Sequence, residues 1–300
     1  MEKTLQDFLM THRLPASFLQ TVDDWYLPLA GRIAKHREAA GRTLLVGING
    51  SQGSGKSTLS ALLVQLLAEY FDLKAVSLSL DDFYLTRAAR QSLAAQIHPL
   101  LETRGVPGTH DIALLRDTLQ QLTGAAGDVS IPRFDKARDD RYPQQACDRI
   151  PLPCDVVLLE GWCLGTPVQS DAALQEPVNE MEARDDPDGS WRRYVNCQLG
   201  EHYQAVYRLL DVWIMLQAPS FESVYRWRLE QEEKLAAILS ESGRDAAQDQ
   251  LMSAPQIEIF IKYYQRLTEH SLRELPALVH YLFRLDEARQ IVDYEEPRAV

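Results

Sequence analysis

One stretch constrains this chain before any other: Gly50-Ser51-Gln52-Gly53-Ser54-Gly55-Lys56-Ser57. It fits the G-x-x-x-x-G-K-[ST] pattern of a phosphate-binding P-loop. Leu44-Leu45-Val46-Gly47-Ile48 runs just before it and reads as a buried parallel strand. Just after it, Leu59, Leu62, Leu63, Leu66 and Leu67 recur at the spacing of an amphipathic helix. The motif therefore sits at a strand-to-helix turn, which is the context it needs. Its glycines let the backbone close around phosphates and turn N–H groups toward them. The helix N-terminus adds a partial positive charge. Lys56 brings a mobile cation to the transferring phosphate, and the Ser57 hydroxyl is a candidate Mg²⁺ ligand. The nucleotide is expected to lie along Gly50, Ser51, Gln52, Gly53, Ser54, Gly55, Lys56, Ser57 and Thr58.

Apolar runs near 44–48, 75–80, 155–160, 212–217 and 279–284 alternate with helical patterns. That order predicts an α/β fold, a P-loop NTPase three-layer sandwich with a mainly parallel five-stranded sheet covered by helices on both faces. Residues 1–42 read as an N-terminal helical extension, broken near Pro28, and 43–300 as a single globular unit. Residues 165–195 are rich in acids and read as the least structured part, either an acidic mobile insertion or a substrate-facing segment. The acidic tail from Asp293 reads as loose.

Several charged positions stand where chemistry is done in such a sheet. The second strand ends in Asp81-Asp82-Phe83-Tyr84, and ligands collect at the carboxyl ends of parallel strands. Asp81 reads as a base or a Mg²⁺-linked carboxylate, with a helix cap as the alternative. Arg104-Gly105-Val106-Pro107-Gly108-Thr109-His110-Asp111 is a loop set by Gly and Pro whose polar residues suit a substrate. Asp111 or Thr109 equally suits the cap of the next helix. Arg133, Lys136, Arg138 and Arg141 crowd a short segment and supply local basic groups for phosphates, or form a solvated loop. Asp155-Val156-Val157-Leu158-Leu159-Glu160 is a Walker-B-like strand, with Glu160 expected beside the P-loop, holding Mg²⁺ directly or through water. Arg226 and Arg228 lie early on a helix after a late strand, placed to close over phosphates as a lid or to pair with Glu230 and Glu232.

The net charge of −12 argues against a nucleic-acid partner. Cys147, Cys154, Cys163 and Cys197 have no metal-ligand spacing and read as reduced thiols. The N-terminus lacks the pattern of a signal peptide, and no apolar run is long enough to span a membrane, so a cytoplasmic protein is expected. The N-K-x-D motif of a guanine-nucleotide switch and the L-S-G-G-Q signature of a transporter ATPase are absent. What remains suits ATP- and Mg²⁺-dependent phosphoryl transfer to a small acceptor. The rival from another class is a non-catalytic ATP-binding regulatory protein.

Gly47 to Thr58, Asp81 to Tyr84 and Leu159-Glu160-Gly161-Trp162 resemble the group of P-loop kinases that includes uridine kinase, phosphoribulokinase and pantothenate kinase. More closely, the Arg104–Asp111 loop, Pro132-Arg133-Phe134-Asp135-Lys136 and Glu160-Gly161-Trp162-Cys163 resemble the D-glycerate 3-kinase family. The likeness runs through Val178-Asn179-Glu180 and Trp227 to Glu232 to the helix near 255–275, and so covers most of the chain. It implies ATP-dependent phosphorylation of a small hydroxylated metabolite, with D-glycerate giving 3-phosphoglycerate as the leading case. A nucleoside, pantothenate or a sugar phosphate is the alternative acceptor. It further implies Asp81 as base, Lys56 and Arg228 as catalytic cations, and Glu160 with Ser57 at the metal. Arg226 falls to the nucleotide, and Asp82, Tyr84, Arg104, His110, Asp111, Arg133 and Lys136 to the acceptor.

Overall fold

The segments that are apolar without alternation are the ones buried on both faces. The protein is described by a computed structural model over residues 2–241 and 252–298. Its main sheet contains Leu44–Gly50 (β1), Ala75–Ser79 (β2), Val156–Gly161 (β3), Val212–Gln217 (β4), Tyr281–Leu285 (β5) and Ile291–Glu295 (β6), in the order β6-β5-β4-β1-β3-β2. Strands β1 and β3 are buried at every residue, whereas β2, at the edge, alternates between buried and half-buried. The first five strands are parallel neighbours and β6 runs antiparallel to β5.

The α-helices longer than one turn are Glu2–His12 (α1), Leu27–Ala40 (α2), Lys56–Phe71 (α3), Arg87–Gln96 (α4), Ile112–Leu122 (α5), Glu180–Asp185 (α6), Ser190–Gln198 (α7), Phe221–Glu241 (α8) and Ala254–Glu274 (α9). Helix α3 lies against β1, β2 and β3. Its Leu59, Leu62, Leu63, Leu66 and Leu67 are fully buried, each worth about 2 kcal/mol of apolar transfer. Leu5, Phe8, Val22, Leu29 and Ile33 from the first forty residues join the same core. No helix among the described residues is long and apolar enough to cross a membrane, and the four cysteines are free.

Three local expectations are corrected. The tail forms β6 because Ile291 and Tyr294 pack on the core and Arg284 of β5 pairs across the ladder with Asp293 and Glu295, at 2.5 and 2.7 Å. The sheet thus has six strands, and those cross-strand ion pairs account for acids that look unstructured in isolation. The helical path is not broken at Pro28. Val22–Tyr26 is a π-turn, and Pro28 falls in the first turn of α2, where its missing N–H is not needed. Residues 165–195 are ordered by buried ion pairs: Glu182 with Arg266 at 2.6 Å and Asp186 with Arg192 at 3.0 Å, all four residues buried.

Candidate active site

The carboxyl ends of β1, β2 and β3 come together because the three strands are parallel and in register. Ile48, Ser79 and Glu160 stand level across them. From the end of β1 the chain turns through the P-loop into α3. Gly53 and Gly55 have φ of +78° and +91°, a region that favours glycine. A Cβ on Gly50 would lie 2.5 Å from the Ser54 hydroxyl, so the turn closes only without one.

Ser57 Oγ donates to Glu160 Oε1 at 2.9 Å, and Lys56 Nζ lies 3.8 Å from Glu160 Oε2. Cation, hydroxyl and carboxylate therefore meet in one corner, with Thr58 in the same first turn of α3. Buried side-chain polar atoms normally have partners. Among the described residues nine do not, and five of them gather here: Ser51 Oγ, Gln52 Oε1, Ser54 Oγ, Glu160 Oε2 and His110 Nε2. Of these, the Ser51 and Ser54 hydroxyls, together with the glycine cradle, fit the oxygens of a polyphosphate, whereas the Glu160 and Gln52 oxygens accept only and suit a cation or its water. Ser57 and Glu160 fit a Mg²⁺ that takes its remaining ligands from phosphates and water. Among the described residues no cluster of three or more His, Cys, Asp or Glu is arranged for a metal, and a phosphate-supported Mg²⁺ requires none.

Asp81 lies in the 3₁₀ turn Leu80–Phe83 that follows β2. Its carboxylate accepts from Tyr84 Oη at 2.9 Å and from Lys136 Nζ at 2.7 Å. Burial pushes its pKa up, but Lys136, Lys56 and the bond from Lys136 together outweigh burial and hold it well below the usual carboxylate range. Asp82 turns the other way. It accepts from Arg133 at 2.8 Å and from the Phe134 N–H at 3.2 Å, and so latches the 132–141 ribbon to β2.

The basic residues of that ribbon are mostly matched by carboxylates. Arg133 also holds Asp148, and Arg104 is paired with Asp139 and lies over the Phe134 ring. The buried Arg90 takes the same Asp139 from the other side at 2.7 Å. Asp111 caps α5, accepting from the Leu114 N–H at 3.0 Å, and binds Arg141. Lys136 remains largely exposed and touches Asp81. His110 is buried, stacked on Tyr84 with centroids 4.4 Å apart, with Nδ1 2.6 Å from Tyr203 Oη.

The two lid arginines are placed differently. Arg228 is bound to Glu232 at 2.6 Å, the i,i+4 pair anticipated as the alternative. Arg226 is half-exposed and held by Glu222 and Glu287, with no contact to the P-loop. The arginine that does touch the loop is one that sequence reasoning missed. Arg289, in the β5–β6 turn, donates from Nε to the Gly53 carbonyl at 2.8 Å. It also binds Glu230 at 2.7 Å and lies over the Trp227 ring. Tyr203 was missed as well. Neither carries a local motif.

No model of a known family matches the chain. It is similar to the uncharacterised kinase mug58 of Schizosaccharomyces pombe, at 32% identity over 256 residues, 83% of this chain and 88% of that protein. It is also 32% identical over 200 residues to the chloroplastic D-glycerate 3-kinase of Arabidopsis thaliana, where the match spans 63% of this chain and 41% of the plant protein. Among solved structures, the D-glycerate 3-kinase of Cryptococcus neoformans has a TM-score of 0.72 at 26% identity, covering 94% of this chain and 99% of that one.

Proposed function

This chain belongs to the family of P-loop kinases that includes mug58 and resembles D-glycerate 3-kinase, and from that premise we propose that it transfers the γ-phosphoryl group of ATP to D-glycerate, giving 3-phosphoglycerate. It is a phosphotransferase with a hydroxyl acceptor. The observation that supports phosphoryl transfer over nucleotide binding alone is the pairing of two half-sites. One is a phosphate corner of Lys56, Ser57 and Glu160; the other is an acidic group, Asp81, within electrostatic reach of Lys56. A nucleotide switch needs the first half-site alone.

In this reading the P-loop N–H groups and Lys56 hold the β- and γ-phosphates. Ser57 and Glu160 would hold Mg²⁺, which would supply neutralisation of phosphate charge. Asp81 takes the proton of the acceptor hydroxyl as the new O–P bond forms and the bond to the ADP oxygen breaks. In the ligand-free protein Lys136 keeps Asp81 ionised and a weak base. Movement of Lys136 onto the incoming negative charge raises that basicity. Arg228, freed from Glu232, closes over the phosphates, and Arg226 lies at the nucleotide's outer side. A small anionic acceptor suits the remaining groups, Lys136 and the unpartnered His110 Nε2, with Tyr84, Arg104, Asp82, Arg133 and Asp111 holding the walls. Likeness to two proteins named D-glycerate 3-kinase supports the same acceptor. A cytoplasmic location belongs to the same proposal.

The test is an acceptor panel of D-glycerate, L-glycerate, pantothenate, a nucleoside and a sugar phosphate, with ATP and Mg²⁺. Turnover on D-glycerate that disappears in Lys56→Ala is expected. No turnover on D-glycerate alongside turnover on another acceptor overturns the substrate. No acceptor-stimulated ADP release at all favours the regulatory alternative.

A further inference from the structure

His110 Nε2 is a buried ring nitrogen without a partner, on a residue only 5% exposed. Which form of nitrogen it is follows from the other side of the ring. Tyr203 is buried, and burial pushes its phenol well above the usual tyrosine range, so the hydroxyl keeps its proton. Its oxygen accepts the Gly108 N–H at 3.2 Å and also faces the His110 backbone N–H, and among the described residues the one atom in contact with it that can take its proton is His110 Nδ1, at 2.6 Å. The phenolic proton therefore goes to Nδ1, which must be bare. Burial also lowers the pKa of His110 to about 4, so the imidazole is neutral. A neutral ring with a bare Nδ1 carries its hydrogen on Nε2. A buried N–H without an acceptor is destabilising until a ligand oxygen meets it.

We propose that Tyr203 is a positioning residue that locks His110 as the Nε2–H tautomer, so that this N–H serves as a fixed, uncharged donor to an oxygen of the acceptor substrate. This rests on the kinase reading and narrows it. The acceptor places a carboxylate or hydroxyl oxygen at His110, beside the Tyr84–Asp81 pair on which the ring is stacked. A locked donor also rejects a ligand that presents a donor there, since two N–H or O–H groups would face each other.

The lock is tested on the full-length chain labelled with ¹⁵N-histidine. The His110 ring is identified by the loss of its signals in His110→Phe, a change that keeps the stack on Tyr84. Wild type is expected to give the ring-nitrogen shifts of the Nε2–H form, and Tyr203→Phe a mixture of tautomers. Adding D-glycerate with ADP and Mg²⁺ should move the Nε2–H signal in wild type. Kinetically, Tyr203→Phe should raise the acceptor KM about fivefold to tenfold with little change in the ATP KM. It should add nothing in the His110→Phe background. An Nδ1–H tautomer in wild type overturns the proposal, as do additive effects in the double variant, which mark a merely structural tyrosine. If the panel yields another acceptor, the KM and shift measurements use that compound. The ring-nitrogen shifts decide the lock whether or not glycerate is the substrate.

Discussion

Arg289 Nε donates to the carbonyl oxygen of Gly53 at 2.8 Å, joining residues 236 apart in the chain. The same turn binds the Trp227 indole N–H through the Glu287 carbonyl at 2.7 Å. The P-loop is thus braced from outside by the β5–β6 turn and helix α8. Removing the guanidinium leaves the loop free to sample shapes that do not fit phosphates. Arg289→Ala should weaken ATP binding by about 1 kcal/mol, roughly fivefold. Calorimetric titration with ATP reads it, and the acceptor KM should stay near its wild-type value. Unchanged ATP affinity would show that the brace has no part in binding.

Gly53 is pinned from the other side. A Cβ there would lie 2.6 Å from the Cβ of Trp227, at a φ of +78°. Gly53→Ala must shift the backbone of α8 or the loop and should cost about 1–3 kcal/mol. A lowered Tm together with lost ATP binding is expected. A wild-type Tm with normal ATP affinity contradicts the close contact.

Lys136 is the nearest cation acting on Asp81. Removing it stabilises the protonated carboxyl, so the Asp81 pKa rises. In Lys136→Met the acid limb of kcat/KM should move to higher pH relative to wild type. Asp81→Asn should retain ATP binding and lose turnover by ~10²-fold or more. An unmoved limb in the first variant, or near-normal turnover in the second, removes Asp81 from the role of base.

His110 is neutral in the folded state because burial depresses its pKa to about 4, against an ordinary 6.5. Between those values the unfolded chain holds the extra proton, so stability falls as pH drops from about 6.5 toward 4. The Tm of wild type should therefore decline more steeply over that window than the Tm of His110→Phe. Equal slopes would place the charged imidazole in the folded protein and undo the tautomer argument.

Much of the frame was legible in the residues. The unbroken apolar runs before Gly50 and Glu160 marked buried parallel strands. Parallel strands bring their carboxyl ends to one edge, so the sequence alone makes Lys56, Ser57, Asp81 and Glu160 neighbours. The Asp111 cap was readable because a cap is a local relationship, spanning three residues. The sixth strand was not, since a strand half made of charges gains its order from Arg284 on its neighbour. The ribbon at 132–141 looked like a store of free cations. In the fold, Asp82 and Asp148 take Arg133, Asp135 takes Arg138 and Asp111 takes Arg141.

By itself the sequence determined a phosphate loop, the sheet that carries it and the acids at its strand ends, because each follows from spacing within a few residues of one element. The tertiary structure alone decided that Arg289 grips Gly53, that the Tyr203 hydroxyl meets His110 Nδ1, and that Lys136 is a cation on Asp81. Those contacts join residues 55 to 236 positions apart. Hydrogen bonds at that range are made only once loops from separate strands are packed side by side, and no periodicity in the chain records them.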